Sequence, residues 1–227
     1  MGHLLLEGGA EFGGRMSEPD LRALELAGGP DAPVRIIPAA AAPDRNHLRA
    51  GANGVRWFEG LGARDVATVP VIDRASADDE SLAAQLRSAR LIYLLGGFPR
   101  HLGETLTGSR AWQAACDAYR EGAVIAGSSA GAMVLCSDYY DPYEQLLLKG
   151  LGMVPESCVL PHHDQYGKNW AASLTERLPD RVLIGIDEST GMLSDAAGAW
   201  TVYGAGTVTL YRRGQAGARS QGETFTL

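Results

Sequence analysis

The sequence is poor in the residues that build disulfide scaffolds, cysteine metal sites and membrane spans. Its 227 residues include three cysteines, and no apolar run approaches the length needed to cross a membrane. The cysteines are odd in number, lie in apolar stretches and form no C-x-x-C pair, which predicts reduced, buried thiols. They are Cys116, Cys136 and Cys158. We therefore expect neither a disulfide framework nor a membrane partner.

Clustered positive charge is also absent. Twenty Lys and Arg residues are scattered among 27 Asp and Glu residues, which gives a net charge of −7. A phosphate-binding face needs clustered Lys and Arg, so we expect no nucleic-acid partner. Residues 4–6 (Leu-Leu-Leu) form a run too short for a secretory signal, with no positive charge before it. These absences favour a cytoplasmic protein, and its length suits a single α/β domain over residues 1–227.

Short apolar segments alternate with helical patterns over the first part of the chain. Such alternation predicts a mostly parallel sheet with helices on both faces. The predicted strands cover residues 4–6, 34–37, 66–72, 91–95 and 123–126, and the predicted helices cover residues 21–26, 44–61, 79–88 and 109–121. Four further strands are closely spaced and are expected to finish the same sheet as antiparallel hairpins. They cover residues 182–186, 191–194, 200–203 and 207–211, and a polar, aromatic surface loop is expected at residues 137–150.

Residues 127–131 read Gly-Ser-Ser-Ala-Gly, the G-x-S-x-G pattern of a nucleophile elbow. An apolar strand precedes the pattern and a run of good helix formers follows it, as such a strand-to-helix turn requires. Gly127 and Gly131 are then needed because a Cβ at either position would crowd the turn. Ser129 becomes the candidate nucleophile, and the Ala130 N–H is placed to receive an oxyanion. The alternative is a turn of small residues without chemistry.

A second glycine pair, Gly96-Gly97, follows the apolar strand at residues 91–95. Ligands of doubly wound sheets bind beyond the carboxyl ends of the strands. This pair can bring a backbone N–H close to a substrate carbonyl, beside the N–H of Ala130. The alternative is that the two glycines only turn the chain.

A serine nucleophile needs a base, and two of the five histidines stand where a base is expected. His162 and His163 follow the apolar segment 159–161, so they project from the sheet edge that carries the serine. Side chains alternate along an extended segment, so only one of the two can face the serine easily. Metal binding through His162, His163 and Asp164 is the alternative, but no other cluster has ligand spacing. We expect no metal and no cofactor.

The acid that orients the imidazole is expected at the end of another buried strand. Asp187 and Glu188 follow the apolar segment 182–186, where an unpaired acidic residue is costly to desolvate. One of the two is therefore expected to meet a histidine or another cation. Asp138 and Asp141 are rivals because they follow the helix after the elbow, but they lie in a segment of surface composition.

Together these segments resemble the cyanophycinase and dipeptidase E group of serine peptidases, peptidase family S51. The matching motifs run almost end to end: Ile-Ile-Pro-Ala-Ala at 36–40, Tyr-Leu-Leu-Gly-Gly at 93–97, Ala-Gly-Ser-Ser-Ala-Gly-Ala at 126–132, Gly-Leu-Gly-Met-Val-Pro at 150–155 and Gly-Ile-Asp-Glu-Ser-Thr at 185–190. The resemblance implies an α/β three-layer sandwich of the class I glutamine amidotransferase-like, flavodoxin-like type. It also implies Ser129 as nucleophile, His162 as base, Glu188 as acid, and Gly97 and Ala130 as oxyanion donors. The dipeptidase branch takes an aspartate after the nucleophile instead, so the identity of the acid stays open.

Two departures from the family's motifs concern substrate specificity. Phe98-Pro99 replaces the Asp-Gln or Asn-Thr pair that follows the two glycines in family members. Residues 165–168 read Gln-Tyr-Gly-Lys where cyanophycinases carry a basic Gln-Arg-x-Arg run. An acidic substrate side chain would still need a cation, and Arg100, His101 and Lys168 join Phe98 as candidate substrate-binding residues. We expect weaker Asp selectivity and a more apolar pocket than in those enzymes.

The sequence thus predicts a cytoplasmic serine peptidase that hydrolyses short peptides through a Ser-His-Glu triad and an acyl-enzyme. Two alternatives stay open: a catalytically silent binding or regulatory module on the same fold, and an esterase. Acyl-transfer machinery does not by itself choose amides over esters, and a fold does not fix a function. Trp57, Phe58 and Trp170 are candidates for a homodimer interface, with core packing as the alternative.

Overall fold

The computed structural model describes residues 1–227, with 14 strands and eight α-helices. The strands are β1 (His3–Glu7), β2 (Val34–Ile37), β3 (Val66–Thr68), β4 (Leu91–Leu94), β5 (Val124–Ser128), β6 (Asp138–Asp141), β7 (Leu146–Lys149), β8 (Ser157–Leu160), β9 (Val182–Ile186), β10 (Thr190–Ser194), β11 (Ala199–Gly204), β12 (Val208–Arg212), β13 (Gln215–Arg219) and β14 (Thr224–Thr226). The helices are α1 (Ser17–Ala27), α2 (His47–Gly60), α3 (Arg74–Ala77), α4 (Glu80–Arg87), α5 (Pro99–Leu106), α6 (Arg110–Arg120), α7 (Ala130–Leu135) and α8 (Ala171–Arg177). No helix combines the length and the apolar character needed to cross a membrane.

Eight strands form the central sheet, in the order β14-β11-β10-β1-β5-β4-β2-β3. The five strands from β1 to β3 in this order are parallel. The strands β10, β11 and β14 extend the sheet beyond β1 in antiparallel pairs. Because parallel strands end at the same edge, the turns after β1, β4 and β5 open side by side. The candidate site is built at that edge.

The central strands are buried on both faces, as their continuous apolar sequences predict. In β1, Leu4 and Leu6 pack into one core and Leu5 packs into the other, because successive side chains of a strand point to opposite faces. Helices α1 and α2 cover the Leu5 face, through side chains such as Leu24 and Phe58. Helices α4 to α7 cover the opposite face. The fold is therefore the predicted α/β three-layer sandwich with a mostly parallel sheet.

Two of the four C-terminal strands leave the central sheet, so the expectation that all four would extend it was wrong. Strands β9 and β12 lie in a second sheet of order β13-β12-β9-β8, in which β8 and β9 are parallel. From this sheet Val159, Ile184 and Val208 pack into the larger core, while Leu160 and Leu183 pack with residues of α8 in a small separate core. An apolar pattern indicates a strand but not its partner, so the second sheet was not visible in the sequence.

Residues 137–150, predicted to be a surface loop, form a hairpin of β6 and β7. Tyr139 is 2% exposed and packs into the larger core. The neighbouring Asp138 is also buried, and its carboxylate accepts hydrogen bonds from Lys149 at 2.6 Å and Arg181 at 2.7 Å. The hairpin thus buries its first strand and pairs the buried Asp138, while its turn, including Glu144, stays exposed.

The aromatic residues considered for a homodimer interface are used within the chain. Phe58 is fully buried. Trp57 and Trp170 are half-buried: Trp57 Nε1 donates to Asp20 Oδ2 at 2.8 Å, and the ring of Trp170 packs against Tyr140. Packing inside the chain accounts for all three.

Candidate active site

Ser129 lies at the turn between β5 and α7, with a φ of 50° and a ψ of −111°. A positive φ with this ψ is strained for a residue with a side chain, and such strain clusters at functional sites. The turn is as crowded as the sequence predicted. A Cβ on Gly127 would lie 2.5 Å from the Gly131 carbonyl carbon, and a Cβ on Gly131 would lie 2.2 Å from the Leu94 oxygen. Only glycine fits at these two flanking positions.

The side chains of Ser129, His162 and Glu188 form a hydrogen-bonded chain. His162 Nε2 lies 3.0 Å from Ser129 Oγ, and His162 Nδ1 lies 2.7 Å from Glu188 Oε1. When Nδ1 carries the proton and donates a hydrogen bond to the carboxylate, Nε2 is free to accept one from the serine hydroxyl. His162 and Glu188 meet because they follow β8 and β9, which are neighbouring strands. They are parallel neighbours with Leu160 opposite Gly185, so the segments that follow them emerge together.

The carbonyl groups of residues 7–9, at the end of β1 and just beyond it, hold the three segments that carry these side chains. They accept, in order, the amides of Ser129 at 3.0 Å, His162 at 2.7 Å and Ser189 at 3.2 Å. Ser189 directly follows Glu188. Each of the three segments is therefore tied to the same short stretch of backbone.

A further carboxylate fixes the segment of Glu188. Asp164 Oδ1 accepts the Glu188 amide at 2.8 Å, and Asp164 Oδ2 accepts from Gln165 Nε2 at 2.9 Å. Burial opposes the ionisation of Asp164, but these hydrogen bonds outweigh it and hold the pKa of Asp164 below its usual value. As a carboxylate, Asp164 joins the loop after β8 to the loop after β9.

Asp187, the alternative acid, contacts the other histidine. His163 Nδ1 lies 3.2 Å from Asp187 Oδ1, and His163 Nε2 lies 2.8 Å from the Tyr211 hydroxyl. The second carboxylate oxygen of Asp187 accepts from the amide and the hydroxyl of Thr207, each at 2.8 Å. His163 is buried, and these contacts satisfy it inside the chain. Of the two adjacent histidines, only the first faces the serine.

The two loop aspartates considered as rivals have other partners. Asp138 pairs with Lys149 and Arg181. Asp141 Oδ1 accepts the amide of Tyr143 at 3.2 Å. Neither carboxylate forms a hydrogen bond with a histidine.

The loop after β4 brings the Gly97 amide to the same place. Gly97 has a φ of 136°, and a Cβ there would lie 2.3 Å from the Ala40 oxygen, so the position requires glycine. A Cβ on the preceding Gly96 would lie 3.3 Å from Ser129 Cβ, which shows that the loop passes beside the serine. The Gly97 amide donates to no carbonyl group, and the Ala130 amide, at the start of α7, has no partner within the helix. Neither N–H group has a hydrogen-bond acceptor within the chain.

Two of the candidate substrate-binding residues use their polar groups within the chain. Arg100 donates to Glu104 at 2.7 Å and also to Glu144. His101 Nε2 lies 2.7 Å from the Ile72 carbonyl oxygen. The guanidinium charge of Arg100 is therefore already offset by two carboxylates.

The other two candidates lie apart from each other. Phe98 stacks on Tyr143 with ring centroids 4.8 Å apart, and both rings border a cavity of about 430 Å³ shared with Arg100 and His101. Lys168 is exposed in a short 3-10 helix and does not line that cavity. The structure thus groups three of the four residues and separates the lysine.

Sequence reasoning missed a cleft of about 580 Å³ beside the glycine loop. Its walls include Glu11, Asp44, Trp57 and Gly97. Glu11 Oε2 accepts from the hydroxyl of Ser128 at 2.9 Å, one residue before the candidate nucleophile. The sequence shows that Glu11 follows the first strand closely. Its contact with Ser128 could be predicted only by knowing that β1 and β5 are neighbours.

A pair of buried acids, also missed, lies beneath the cleft. Glu7 and Asp20 are both fully buried. Glu7 accepts from the Tyr93 hydroxyl, and Asp20 accepts from Trp57 Nε1 at 2.8 Å. Burial raises the pKa of Glu7 well above its usual value and raises that of Asp20 to about 7. They form no metal site, since no group of three or more His, Cys, Asp or Glu side chains could hold a metal ion.

Comparison with known proteins gives consistent matches along the chain. The family model described as Peptidase family S51 matches residues 4–198. Similar curated proteins include the cyanophycinase of Synechococcus elongatus, 31% identical over 222 residues, and that of Geminocystis herdmanii, 31% identical over 220 residues. The two alignments cover 92% and 91% of this chain, and 67% and 79% of those proteins.

Solved structures share the fold. The crystal structure of a peptidase from an acI-B1 actinobacterium has a TM-score of 0.90 at 28% identity, covering 100% of this chain and 97% of that chain. A protein from Listeria monocytogenes EGD-e described as a peptidase E has a TM-score of 0.65 at 17% identity, covering 91% of this chain and 100% of that chain. At 17% identity the second likeness speaks for the fold alone.

Proposed function

The chain belongs to peptidase family S51 and is a serine-type peptidase, and we propose that Ser129, His162 and Glu188 are its catalytic triad. The observation that carries this proposal is the pair of contacts made by one imidazole, 3.0 Å to Ser129 Oγ and 2.7 Å to Glu188 Oε1. Acyl transfer requires a nucleophile, a base within hydrogen-bond reach of it, and a group that orients the base. The turn between β5 and α7 is, in this proposal, the nucleophile elbow.

In the proposed reaction Ser129 Oγ attacks the carbonyl carbon of the scissile peptide bond while His162 Nε2 takes the hydroxyl proton. Glu188 stabilises the imidazolium that forms, through the hydrogen bond from Nδ1. The amides of Gly97 and Ala130 donate to the oxyanion of the tetrahedral intermediate.

The intermediate then collapses to an acyl-enzyme. His162 gives its proton to the leaving amine nitrogen, the C–N bond breaks, and the acyl group stays on Ser129. A water molecule attacks the ester after losing a proton to His162, and that proton returns to the serine oxygen as the carboxylic acid product leaves.

Short peptides are the proposed substrates, with weak selectivity for Asp. A substrate carboxylate needs a cation, but Arg100 already pairs with Glu104 and Glu144. Lys168 is the candidate cation that remains exposed. Phe98, directly after the two glycines, stacks on Tyr143, and both rings line a cavity. These features favour a pocket that tolerates uncharged side chains.

The test is hydrolysis of a peptide panel by the wild-type protein and by Ser129→Ala. The panel contains Asp-X and X-Asp dipeptides, the matching Ala and Leu peptides, β-aspartyl-arginine, and one ester. A loss of several orders of magnitude in Ser129→Ala supports the proposal. Unchanged activity in the variant would remove Ser129 from the mechanism. Inactivity of both proteins, together with no labelling of Ser129 by a fluorophosphonate, would favour a silent binding module.

A further inference from the structure

The His162 imidazole is covered on one face by glycine backbone. A Cβ added to Gly9 would lie 2.2 Å from His162 Cε1, 2.6 Å from Nδ1 and 2.7 Å from Nε2. If the added Cβ lay in the plane of the ring, beyond Cε1, it would be much farther from the two ring nitrogens than from Cε1. These nearly equal distances therefore place Gly9 above the ring, where a side chain would displace the imidazole.

The ring of Tyr166 also packs on the imidazole. Its ring is stacked on the imidazole with centroids 5.0 Å apart and an interplanar angle of 21°. Because Gly9 fills the first face, the tyrosine ring occupies the second. The Tyr166 amide also donates to the His162 carbonyl at 3.0 Å, so both rings belong to one tight turn.

Two further aromatic rings continue this cluster. The ring of Trp170 lies 5.6 Å from that of Tyr166, and Tyr140 of the β6–β7 hairpin lies 5.3 Å from Trp170. Tyr166 itself is 46% exposed, so it is not a core residue that the fold needs for burial. The Tyr166 ring contacts two other rings, the imidazole of His162 and the indole of Trp170.

We propose that Tyr166 is a positioning residue that, with Gly9, forms a slot holding the His162 imidazole in the plane that aims Nε2 at Ser129. The proposal rests on the triad proposed above. Rotation of a histidine ring about its Cβ–Cγ bond is soft, so packing on both faces restricts it where rotamer preference does not. The restriction matters most in the acyl-enzyme, because the acylated serine oxygen has lost its proton and no longer donates to Nε2.

The test compares Tyr166→Phe, which keeps a stacked ring, with Tyr166→Leu, which removes it. We expect Tyr166→Phe to keep kcat within about twofold of wild type and Tyr166→Leu to lower kcat by about tenfold, with KM changed less than about threefold in both. The loss should be the same for every peptide of the panel, because the ring acts on His162 and not on the substrate. Rescue by phenylalanine separates this role from one that needs the hydroxyl.

Three results would overturn the proposal: Tyr166→Leu with wild-type kcat, Tyr166→Phe as impaired as Tyr166→Leu, or a substrate-dependent rise in KM with kcat unchanged. The last result would make Tyr166 a substrate contact. Thermal melting of each variant checks folding, and Tyr166→Met replaces Tyr166→Leu in the same comparison if the leucine variant unfolds. Ser129→Ala is measured in parallel. If it is as active as wild type, the triad itself fails; if it is inactive while Tyr166→Leu is unimpaired, only the slot fails.

Discussion

The imidazole of His163 and the carboxylate of Asp187 lie 3.2 Å apart, directly beside the 2.7 Å contact between His162 and Glu188. Two consecutive histidines after β8 thus meet two consecutive acids after β9. The His163–Asp187 pair is the less exposed of the two. The side chains of His163 and Asp187 are 10% and 15% exposed, whereas those of His162 and Glu188 are 17% and 36% exposed. One pair reaches the serine, and the other fastens the two loops together.

The two acids are expected to give opposite phenotypes. We predict that Glu188→Gln lowers kcat by about 10³- to 10⁴-fold with little loss of stability, because the amide no longer stabilises the imidazolium. Asp187→Asn should keep kcat within about tenfold of wild type but lower the free energy of unfolding by about 1–3 kcal/mol, since it weakens buried hydrogen bonds. Steady-state kinetics and urea unfolding measure both. The assignment of the acid is wrong if Asp187→Asn is the inactive, stable variant.

Gly185→Ala tests the His163–Asp187 pair without changing Asp187 or Glu188. A Cβ at this position would lie 2.3 Å from His163 Cδ2. We expect the ring to be displaced and the free energy of unfolding to fall by about 1–3 kcal/mol. Gly217→Ala, in β13, is the control, because the atom nearest to its added Cβ is 3.7 Å away. Equal urea midpoints for the two variants would contradict the prediction.

Gly97→Ala should impair catalysis through the proposed oxyanion site. The added Cβ would lie 2.3 Å from the Ala40 oxygen at a φ of 136°, so the loop must move and carry the amide with it. Loss of one oxyanion donor typically lowers kcat by about 10²- to 10³-fold, and we expect a loss in that range. Gly60→Ala, with no atom within 4 Å of its added Cβ, is the matched control and should leave kcat unchanged. A Gly97→Ala enzyme with wild-type kcat would remove this amide from the mechanism.

The buried acids beneath the cleft predict a stability that depends on pH. The pKa of Asp20 is raised by burial to about 7, whereas an Asp in an unfolded chain titrates near ~4. The folded protein therefore keeps a proton that the unfolded chain releases. The stability that this group contributes is fully present below about pH 4 and is lost as the pH rises through about 7.

We expect the melting temperature of wild type to fall more steeply from about pH 5 to about pH 8 than that of Asp20→Asn, whose amide cannot ionise. The amide oxygen of the variant still accepts the hydrogen bond from Trp57. Asp180→Asn, at an exposed position, is the control and should follow the wild-type profile. Parallel profiles for wild type and Asp20→Asn would show that the buried carboxyl does not titrate in this range.

Arg100 is expected to contribute little to the choice of substrate, since its guanidinium is shared by Glu104 and Glu144. Arg100→Ala should change the ratio of kcat/KM between Asp-Leu and Ala-Leu by less than about threefold, in line with the small worth of exposed ion pairs. The wild-type ratio itself should be modest. A preference for Asp of a hundredfold or more, abolished in Arg100→Ala, would restore Arg100 as the specificity residue.

Sequence patterns predicted the layers of the fold because those depend on local periodicity. The apolar runs that became β4 and β5 and the helical patterns that became α1, α2, α4 and α6 are recognisable without knowing their neighbours, whereas α5 and α8 were not predicted. Partner choice is different: Val182–Ile186 was correctly predicted as a strand but was placed in the wrong sheet. A strand's neighbours depend on which cores its two faces meet, and that is a property of the whole chain.

The candidate site likewise has features that the sequence predicts and features that depend on the whole fold. Ser129, His162 and Glu188 come together in the structure because each follows a buried strand, which the sequence reveals. The engagement of Arg100 by Glu144 was not predictable, because the acid lies in a hairpin that had been interpreted as a loop. Glu7 and Asp20 were not singled out in the sequence, because their burial depends on how α1 packs against β1.

The stretch at residues 7–9 has a consequence for how the enzyme is made. Its carbonyls lie at the end of the first strand and just beyond it, whereas the amides that they accept, those of Ser129, His162 and Ser189, all come from the second half of the chain. Contacts between residues so far apart in the sequence carry a large loop-closure entropy, which slows their formation. A chain that still lacks its C-terminal loops therefore cannot assemble the candidate site. The candidate site forms only when those loops have returned to the segment at the end of the first strand, so its geometry depends on the fold of nearly the whole chain.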